Sequence, residues 1–241
     1  MNLHGLNALV TGASRGLGRA LSLELARHGA RLAMVARDSA ALDAAVAEVR
    51  SLGGVAHAIA GDVGDKLAAH RIAGAAAGAL GDIDLVIHNA SSLGAVPLPL
   101  LLDTECEDLE SVLAVNLVGP FRLTKILAGS MALRARGTVV FVSSDAAVEA
   151  YPRWGSYGIS KAAADHLARI WAEELRGAGV RVVSIDPGEM NTRMHADAIP
   201  DADPSTLARP EDVARRIVLG LREDLISTGS RVTSASLGGA L

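Results

Sequence analysis

Short apolar runs alternate with longer amphipathic segments along most of the chain. Seven runs rich in Val, Ile, Leu and Ala have the length of buried strands: Asn7 to Thr11, Arg31 to Ala36, Val55 to Ala60, Leu85 to His88, Thr138 to Ser143, Val180 to Ile185 and Ser230 to Thr233. Apolar residues at three- and four-residue steps predict helices between them, at Gly18 to His28, Ala40 to Leu52, Lys66 to Leu80, Leu109 to Arg134, Tyr157 to Arg176 and Pro210 to Glu223. This alternation predicts an α/β fold with a doubly wound, seven-stranded parallel sheet and helices on both faces.

The chain shows no fixed-period repeat and no long linker, so a single Rossmann domain is predicted over residues 1–241. The stretch from Asn191 to Arg209 lacks a clear period and contains Pro200, Pro204 and several aspartates. We predict that residues 191–209 form a mobile flap over the substrate. The small side chains from Ser234 to Leu241 predict a fraying tail.

Composition excludes several classes of protein. Half of the 241 residues are apolar and 21% are charged, which is a globular balance and not that of a disordered chain. The 23 basic residues against 27 acidic ones give a net charge of −4, which argues against a nucleic-acid partner. No uncharged apolar run approaches the roughly 20 residues of a membrane span. One cysteine, Cys106, and no basic-apolar leader at the start predict a cytoplasmic protein.

The segment from Thr11 to Gly18 reads TGASRGLG and lies between the first strand and the first helix. Glycines in this position permit a tight turn, let a pyrophosphate approach the backbone and let the helix pack on the strand. The helix N-terminus adds free N–H groups and a favourable dipole. The residues predicted to contact a dinucleotide here are Gly12, Ser14, Arg15, Gly16, Leu17 and Gly18. The alternative is a glycine-rich connector without a ligand.

The end of the second strand bears on the choice of cofactor. NAD-binding folds place an acid there to bind the ribose hydroxyls, but this chain has Ala36 followed by Arg37. Arg37 and Arg15 could both bind a 2′-phosphate, so NADP is favoured. Asp38 keeps NAD as the alternative.

Four polar residues suggest acid–base chemistry. Tyr157 and Lys161 are four residues apart and share one helix face, where the ammonium is expected to lower the phenol pKa. Ser144 follows the fifth strand at the ligand-binding edge and could hold a substrate carbonyl. Asn116 lies mid-helix on the predicted core face, where an amide is costly unless hydrogen-bonded. Its alternative is a satisfied core amide. No spacing of His or Cys suggests a metal site.

Aromatic residues make up only 2% of the chain, so those beside Tyr157 stand out. Trp154 and Tyr151 could line a pocket for a flat or apolar substrate, or else cap the core. Met190 and Met194 lie on the flap and could adapt to ligands, Met190 on the cofactor side and Met194 on the substrate side.

Together these motifs resemble the short-chain dehydrogenase/reductase family, in the branch whose glycine turn reads Thr-Gly-x-x-x-Gly-x-Gly. The resemblance runs from about Leu6 to Val232. It implies that Asn116, Ser144, Tyr157 and Lys161 form a catalytic tetrad. It also implies cofactor contacts from Asp62, Val63, Asn89, Ala90, Pro187, Gly188 and Thr192, besides Tyr157 and Lys161.

The resemblance implies reversible, NADP(H)-dependent hydride transfer between nicotinamide and a small carbonyl or secondary alcohol, as in a carbonyl reductase. In this scheme Tyr157 donates the proton, Ser144 binds the same oxygen and Lys161 holds the ribose, while Asn116 organises a water. The rival functions are a non-catalytic NADP sensor or scaffold, which the complete tetrad argues against, and an epimerase or dehydratase. The latter is disfavoured because the epimerase branch usually has Gly-x-x-Gly-x-x-Gly.

The chain also departs from the family pattern. Ser91 replaces a usual glycine after the fourth strand, Asp186 replaces a common Asn before Pro187, and the C-terminal Asp-Gly-Gly of many tetramers is absent. The two long helices are therefore expected to form a homodimer, with a tetramer as the alternative. The segments 89–94 and 151–154 and the short flap at 191–210 resemble the sepiapterin and benzil reductase subgroup.

Overall fold

The computed structural model describes residues 1–238 and contains one seven-stranded parallel sheet. Its strands are β1 (Asn7–Thr11), β2 (Arg31–Ala36), β3 (Val55–Ala60), β4 (Leu85–His88), β5 (Gly137–Val142), β6 (Val180–Asp186) and β7 (Arg231–Thr233). The strand order is β3-β2-β1-β4-β5-β6-β7, with every neighbouring pair parallel. The predicted fold is confirmed, and each predicted strand end lies within one residue of the observed one. The order reverses between β1 and β4, which opens a crevice at their carboxyl ends.

Helices cover both faces of the sheet. They are α1 (Gly16–Arg27), α2 (Ser39–Ser51), α3 (Ala68–Leu80), α4 (Cys106–Leu113), α5 (Gly119–Leu133), α6 (Gly155–Leu175), α7 (Arg193–Ala198) and α8 (Pro210–Arg222). One core layer joins α1, α2 and α8 to the sheet through residues such as Leu21 and Ile217. The other joins α3, α5 and α6 through residues such as Ile72 and Leu123. Each helix buries one apolar stripe, so the sheet is covered on both sides.

The long helix predicted from Leu109 is divided by a π-helical turn at Ala114–Val118, between α4 and α5. A sequence stripe at three- and four-residue steps predicts that Phe121 faces the core, but Phe121 is 39% exposed and stacks on Trp171 with ring centroids 5.9 Å apart. The wider π turn rotates the following helix, and its core face continues instead through Leu123.

The segment Cys106–Leu133 is long and apolar enough, by length and composition only, to cross a membrane, and its most apolar 18-residue stretch has a mean hydropathy of 1.3. However, 44% of its most apolar stretch is buried inside the protein. Leu123, Leu127 and Met131 lie in the core layer beneath the sheet, so packing accounts for the composition.

The predicted flap is more regular than its sequence suggests. It contains α7 and a 3-10 turn at Pro204–Thr206. Its two ends pair with each other, since the Asn191 N–H donates to the Ala208 carbonyl at 2.9 Å. The expected fraying is wrong for Ser234–Leu237, which forms a 3-10 turn with Leu237 only 3% exposed. The last three residues of that tail, 239–241, lie outside the described residues.

Candidate functional site

A cleft of about 660 Å³ follows the carboxyl ends of the central strands. Most of the sequence-predicted cofactor residues line it: Gly12, Ser14, Arg15, Gly16, Leu17, Arg37, Asp62, Val63, Asn89, Ala90, Tyr157, Lys161, Pro187, Met190 and Thr192. Gly18 and Gly188 are the exceptions. Gly18 packs beneath the turn and Gly188 lines an adjoining pocket.

The glycine turn is shaped to leave room beside the backbone. Gly12 has φ +66°, and a Cβ there would lie 2.8 Å from the Ala90 Cα. A Cβ on Gly18 would lie 2.2 Å from the Gly12 carbonyl oxygen, so α1 can approach β1 only with glycine at that position. Helix α1 begins at Gly16 and presents its first N–H groups to the cleft, which fits a pyrophosphate.

Asn89 fastens this turn to the end of β4. Its amide donates to the carbonyls of Thr11 at 3.0 Å and Gly12 at 3.1 Å. The Thr11 hydroxyl in turn accepts from the backbone N–H groups of Asn89 and Ala90, both at 3.1 Å. The Asn89 side chain thus holds the walls of the cleft together.

The far end of the cleft is basic. Strand β2 ends at Ala36, and the Arg37 guanidinium that follows is 67% exposed and 3.8 Å from the Asp62 carboxylate. The Asp38 carboxylate accepts from the Ala41 N–H at 3.1 Å and so caps α2. This hydrogen bond uses one oxygen of the Asp38 carboxylate, the group that could otherwise bind the ribose hydroxyls of NAD.

Sequence reasoning missed three further arginines in the cleft, Arg19, Arg193 and Arg209. Arg19 lies one turn into α1 and pairs with Glu48 of α2 and Glu211 of α8. None of the three belongs to a motif, and only the folded arrangement of α1, α7 and α8 brings them to the cleft.

Tyr157 lies where the cleft meets a second pocket, and its side chain is almost entirely buried. Burial raises the pKa of Tyr157 to about 12, while hydrogen bonds with Ser144 and Ser91 act to lower it. The carboxylates of Asp145 and Asp186 raise this pKa further. The phenol is therefore held in its protonated form at neutral pH.

Lys161 does not act on this phenol as the sequence suggests. Its ammonium donates to the Val142 carbonyl at 2.8 Å and lies over the Tyr157 ring, 5.5 Å from the centroid. Burial lowers the pKa of Lys161 to about 8, and the carboxylates of Asp165 and Asp186 oppose that shift. The expectation that Lys161 lowers the Tyr157 pKa below its ordinary value is wrong for this arrangement, because burial dominates the pKa of the phenol and the opposing contributions come from the hydrogen bonds with Ser144 and Ser91.

Asn116 lies in the π turn, a feature often found at functional sites. Its amide donates to the Ser92 carbonyl and the Ser160 hydroxyl, both at 2.9 Å. Its oxygen accepts from the Ser91 hydroxyl at 3.1 Å and the Ser92 N–H at 2.8 Å. The side chain is thus a satisfied core amide that ties the loop after β4 to α6. A water relay through Asn116 would have to use its backbone, and that role stays a prediction.

The second pocket, of about 270 Å³, opens beside Tyr157. All four residues predicted to bind substrate line it: Ser144, Trp154, Tyr157 and Met194. The Trp154 ring packs edge-on against Tyr157, with centroids 5.7 Å apart. The opposite wall is polar, because Asp145, Glu189 and His195 also line the pocket.

Sequence reasoning missed the roles of Ser91 and Asp145. The Ser144 hydroxyl donates to an Asp145 oxygen at 2.9 Å, and the Tyr151 hydroxyl donates to the other at 3.1 Å. In the sequence, Ser91 is notable only because it replaces a usual glycine. In the structure, its hydroxyl lies between Asn116 and Tyr157. No signal in the sequence distinguished Asp145.

Comparison with known proteins agrees with this geometry. A family model described as short chain dehydrogenase matches residues 6–203. The chain is 37% identical over 202 residues to a short chain dehydrogenase from Pseudocercospora fijiensis, covering 82% of this chain but 64% of that protein. It is 31% identical over 232 residues to the 3-oxoacyl-(acyl-carrier-protein) reductase of Thermotoga maritima, covering 93% of each. A solved short chain dehydrogenase from Shigella flexneri, complexed with NADP, has a TM-score of 0.90 and 27% identity, covering 97% of this chain and 98% of that one.

A doubly wound parallel sheet with a glycine turn at its crevice defines the class of nucleotide-binding Rossmann proteins. Within that class, the chain belongs to the short-chain dehydrogenase/reductase family. It is an oxidoreductase of a family that uses a nicotinamide cofactor and acts on small molecules.

Proposed function

We propose that this protein is an NADP(H)-dependent reductase of small carbonyl compounds, with Tyr157 as its general acid. One observation carries the proposal: Tyr157 belongs to both the long cleft and the adjoining pocket, so a proton donor lies where a cofactor and a substrate would meet. A reduced nicotinamide in the cleft would supply the hydride.

The properties of Tyr157 suit the reductive direction. With a pKa of about 12 it carries its proton at neutral pH and can donate it to an alkoxide as that charge develops. The Ser144 hydroxyl, which donates to Asp145 in this structure, is close enough to Tyr157 to turn its hydrogen to the same substrate oxygen. Two donors aimed at one developing charge stabilise the transition state more than the ground state. Lys161, with a pKa of about 8, keeps a positive charge behind them at neutral pH.

The basic end of the cleft supports NADP over NAD. Arg15 and Arg37 both line the cleft beyond Ala36, where an NAD-binding fold would carry an acid. The solved Shigella relative was complexed with NADP, which is consistent with this preference. Asp38 remains the reason to test NADH alongside.

The test is oxidation of NADPH and NADH, followed by absorbance, with a panel of diketones and aldehydes. Tyr157→Phe is expected to lower kcat by roughly 10²- to 10⁴-fold. NADPH binding, followed by fluorescence, is expected to stay within about threefold of the parent. Tyr151→Phe is the comparison: it removes the chain's other phenol, which lies at the wall of the substrate pocket, and is expected to lower kcat far less. Equal loss of binding and turnover would point to misfolding of the variant. A parent that binds NADPH but reduces nothing would favour the sensor or scaffold alternative.

Assembly and location are also proposals. We expect a homodimer built on α4–α5 and α6, which sedimentation would test, and a cytoplasmic location. Membership of the sepiapterin or benzil reductase subgroup predicts that flat dicarbonyls are among the better substrates.

A further inference from the structure

Arg231, the first residue of β7, joins three elements behind the candidate active site. Its Nε donates to the Asp165 carboxylate of α6 at 2.9 Å. Its Nη2 donates to the Asp186 carboxylate at the end of β6 at 3.0 Å and to the Ser144 carbonyl at 2.8 Å. Both carboxylates are more than nine-tenths buried, whereas the Arg231 side chain is 27% exposed. One planar guanidinium thus satisfies three acceptors.

Each acceptor controls a different part of the site. The carbonyl belongs to Ser144, whose hydroxyl lies beside Tyr157. The other oxygen of Asp186 accepts from the Gly188 N–H at 2.9 Å and so shapes the turn after β6 that lines the cleft and pocket. Asp165 lies one helical turn after Lys161 and also accepts from the Ser143 hydroxyl at 2.6 Å.

The charges in this region cancel. Arg231 and Lys161 face Asp165 and Asp186, two positive against two negative groups. The other charged groups nearby are Asp145, on the substrate side of Tyr157, and Arg169 of α6, which lines the cavity beside Arg231 and Asp165. Without the guanidinium, Asp165 and Asp186 would lose their ion-pair partner and act on Lys161 more strongly. A buried carboxylate left unpaired is costly, and the chain around it shifts to find new partners.

Resting on the proposed function above, we propose that Arg231 is a positioning residue for hydride transfer, which fixes Ser144, the Pro187–Gly188 turn and the lysine-bearing helix α6 relative to one another. This also explains a departure noted in the sequence. Asp186 stands where the family commonly has a neutral Asn, and here it has a cationic partner from β7.

The first experiment compares Arg231→Met with the parent and with Arg181→Met. Arg181 is a matched control because it is also a largely buried arginine paired with a carboxylate, Asp224, but it lies at the opposite end of β6. We expect Arg231→Met to lower kcat by at least about tenfold while the NADPH dissociation constant changes less than about threefold. Arg181→Met is expected to leave kcat unchanged and to lower thermal stability less than Arg231→Met, because Asp224 is 71% exposed and is not left buried without a partner.

A second variant separates charge from packing. Asp186→Asn, introduced into Arg231→Met, removes one unpaired carboxylate and keeps an oxygen for the Gly188 N–H. It is expected to regain at least about threefold of the lost kcat. The pH dependence is a further readout, because unpaired Asp165 and Asp186 both favour protonated Lys161, and Asp186 favours protonated Tyr157. The alkaline fall of kcat in Arg231→Met is therefore expected at higher pH than in the parent.

A cavity of about 410 Å³ lined by Arg231, Asp165 and Ser184 permits chemical rescue. Guanidinium ion at non-denaturing concentration is expected to raise the kcat of Arg231→Ala several-fold and to leave the kcat of Arg181→Met unchanged.

The proposal would be overturned if Arg231→Met kept the parental kcat and pH profile, or if it lost no more kcat than Arg181→Met. If Arg231→Met does not fold, Arg231→Lys decides, since parental kcat there would also overturn it. A parent that turns over no carbonyl refutes the proposed function instead.

Discussion

The ionisation of Tyr157 can be measured directly, because the chain has only two tyrosines. In Tyr151→Phe, every tyrosinate signal comes from Tyr157. The structure raises its pKa from the ordinary 10.0 to about 12, mainly through burial. A shift of about two pKa units corresponds to roughly 3 kcal/mol favouring the protonated phenol.

The assay is an ultraviolet difference titration of Tyr151→Phe from neutral to strongly alkaline pH, with circular dichroism to mark unfolding. We expect little tyrosinate near pH 10 while the protein stays folded. The free energy of unfolding depends on pH for the same reason. Tyr157 ionises at lower pH in the unfolded chain than in the folded protein, so its contribution to stability is fully present below about pH 10 and is lost as pH rises toward about 12.

The comparison with Tyr151→Phe/Ser144→Ala sharpens this test. The hydrogen bond with Ser144 lowers the Tyr157 pKa, so its removal is expected to move the titration to still higher pH. A folded Tyr151→Phe protein that titrates near pH 10 or below would refute the reasoning. It would show that a cation, and not burial, governs the phenol.

Three further predictions concern the cofactor cleft and the core. Arg37→Ser is expected to raise KM for NADPH about tenfold and leave KM for NADH nearly unchanged in steady-state assays; equal effects on both would contradict a 2′-phosphate contact. Gly18→Ala is expected to lower the free energy of unfolding by about 2–4 kcal/mol and to abolish NADPH binding, because its Cβ would lie 2.2 Å from the Gly12 carbonyl oxygen. Gly78→Ala in α3, where a Cβ meets nothing within 4 Å, is the control and should be neutral or stabilising by calorimetry. Burial lowers the pKa of His88 from 6.5 to about 3, so the folded state binds fewer protons than the unfolded state and stability falls as pH drops below about 6.5. Urea unfolding should show a loss of roughly 2–3 kcal/mol from this group between about pH 7 and pH 4.5, and the loss should be absent from His88→Gln.

The sequence by itself determined the architecture and most of the cofactor cleft. Strands buried on both faces need near-continuous apolar runs, and amphipathic helices need apolar residues with a 3.6-residue period. Strands and helices can therefore both be recognised from the sequence alone. The glycine turn can be recognised for a similar reason. The positive φ at Gly12 and the close approach of Gly18 to the Gly12 carbonyl oxygen both require glycine. These are local requirements on single positions.

Only the tertiary structure decided the electrostatics of the site. The spacing of Tyr157 and Lys161 predicts a shared helix face, but the phenol pKa depends on how much water the surrounding loops exclude. Likewise, Asn116 is identified by its position, yet its four partners come from the loop after β4 and from α6.

The contacts of Arg231 illustrate the same limit. Its three partners lie 45 to 87 residues away in sequence, and no periodic pattern links them. They meet because β5, β6 and β7 are adjacent and parallel, so that Arg231 lies level with Ser184 near the carboxyl end of β6, and because the middle of α6 packs beside this edge. Hydrophobic periodicity encodes which elements form, whereas ion pairs between distant elements depend on where those elements finally pack.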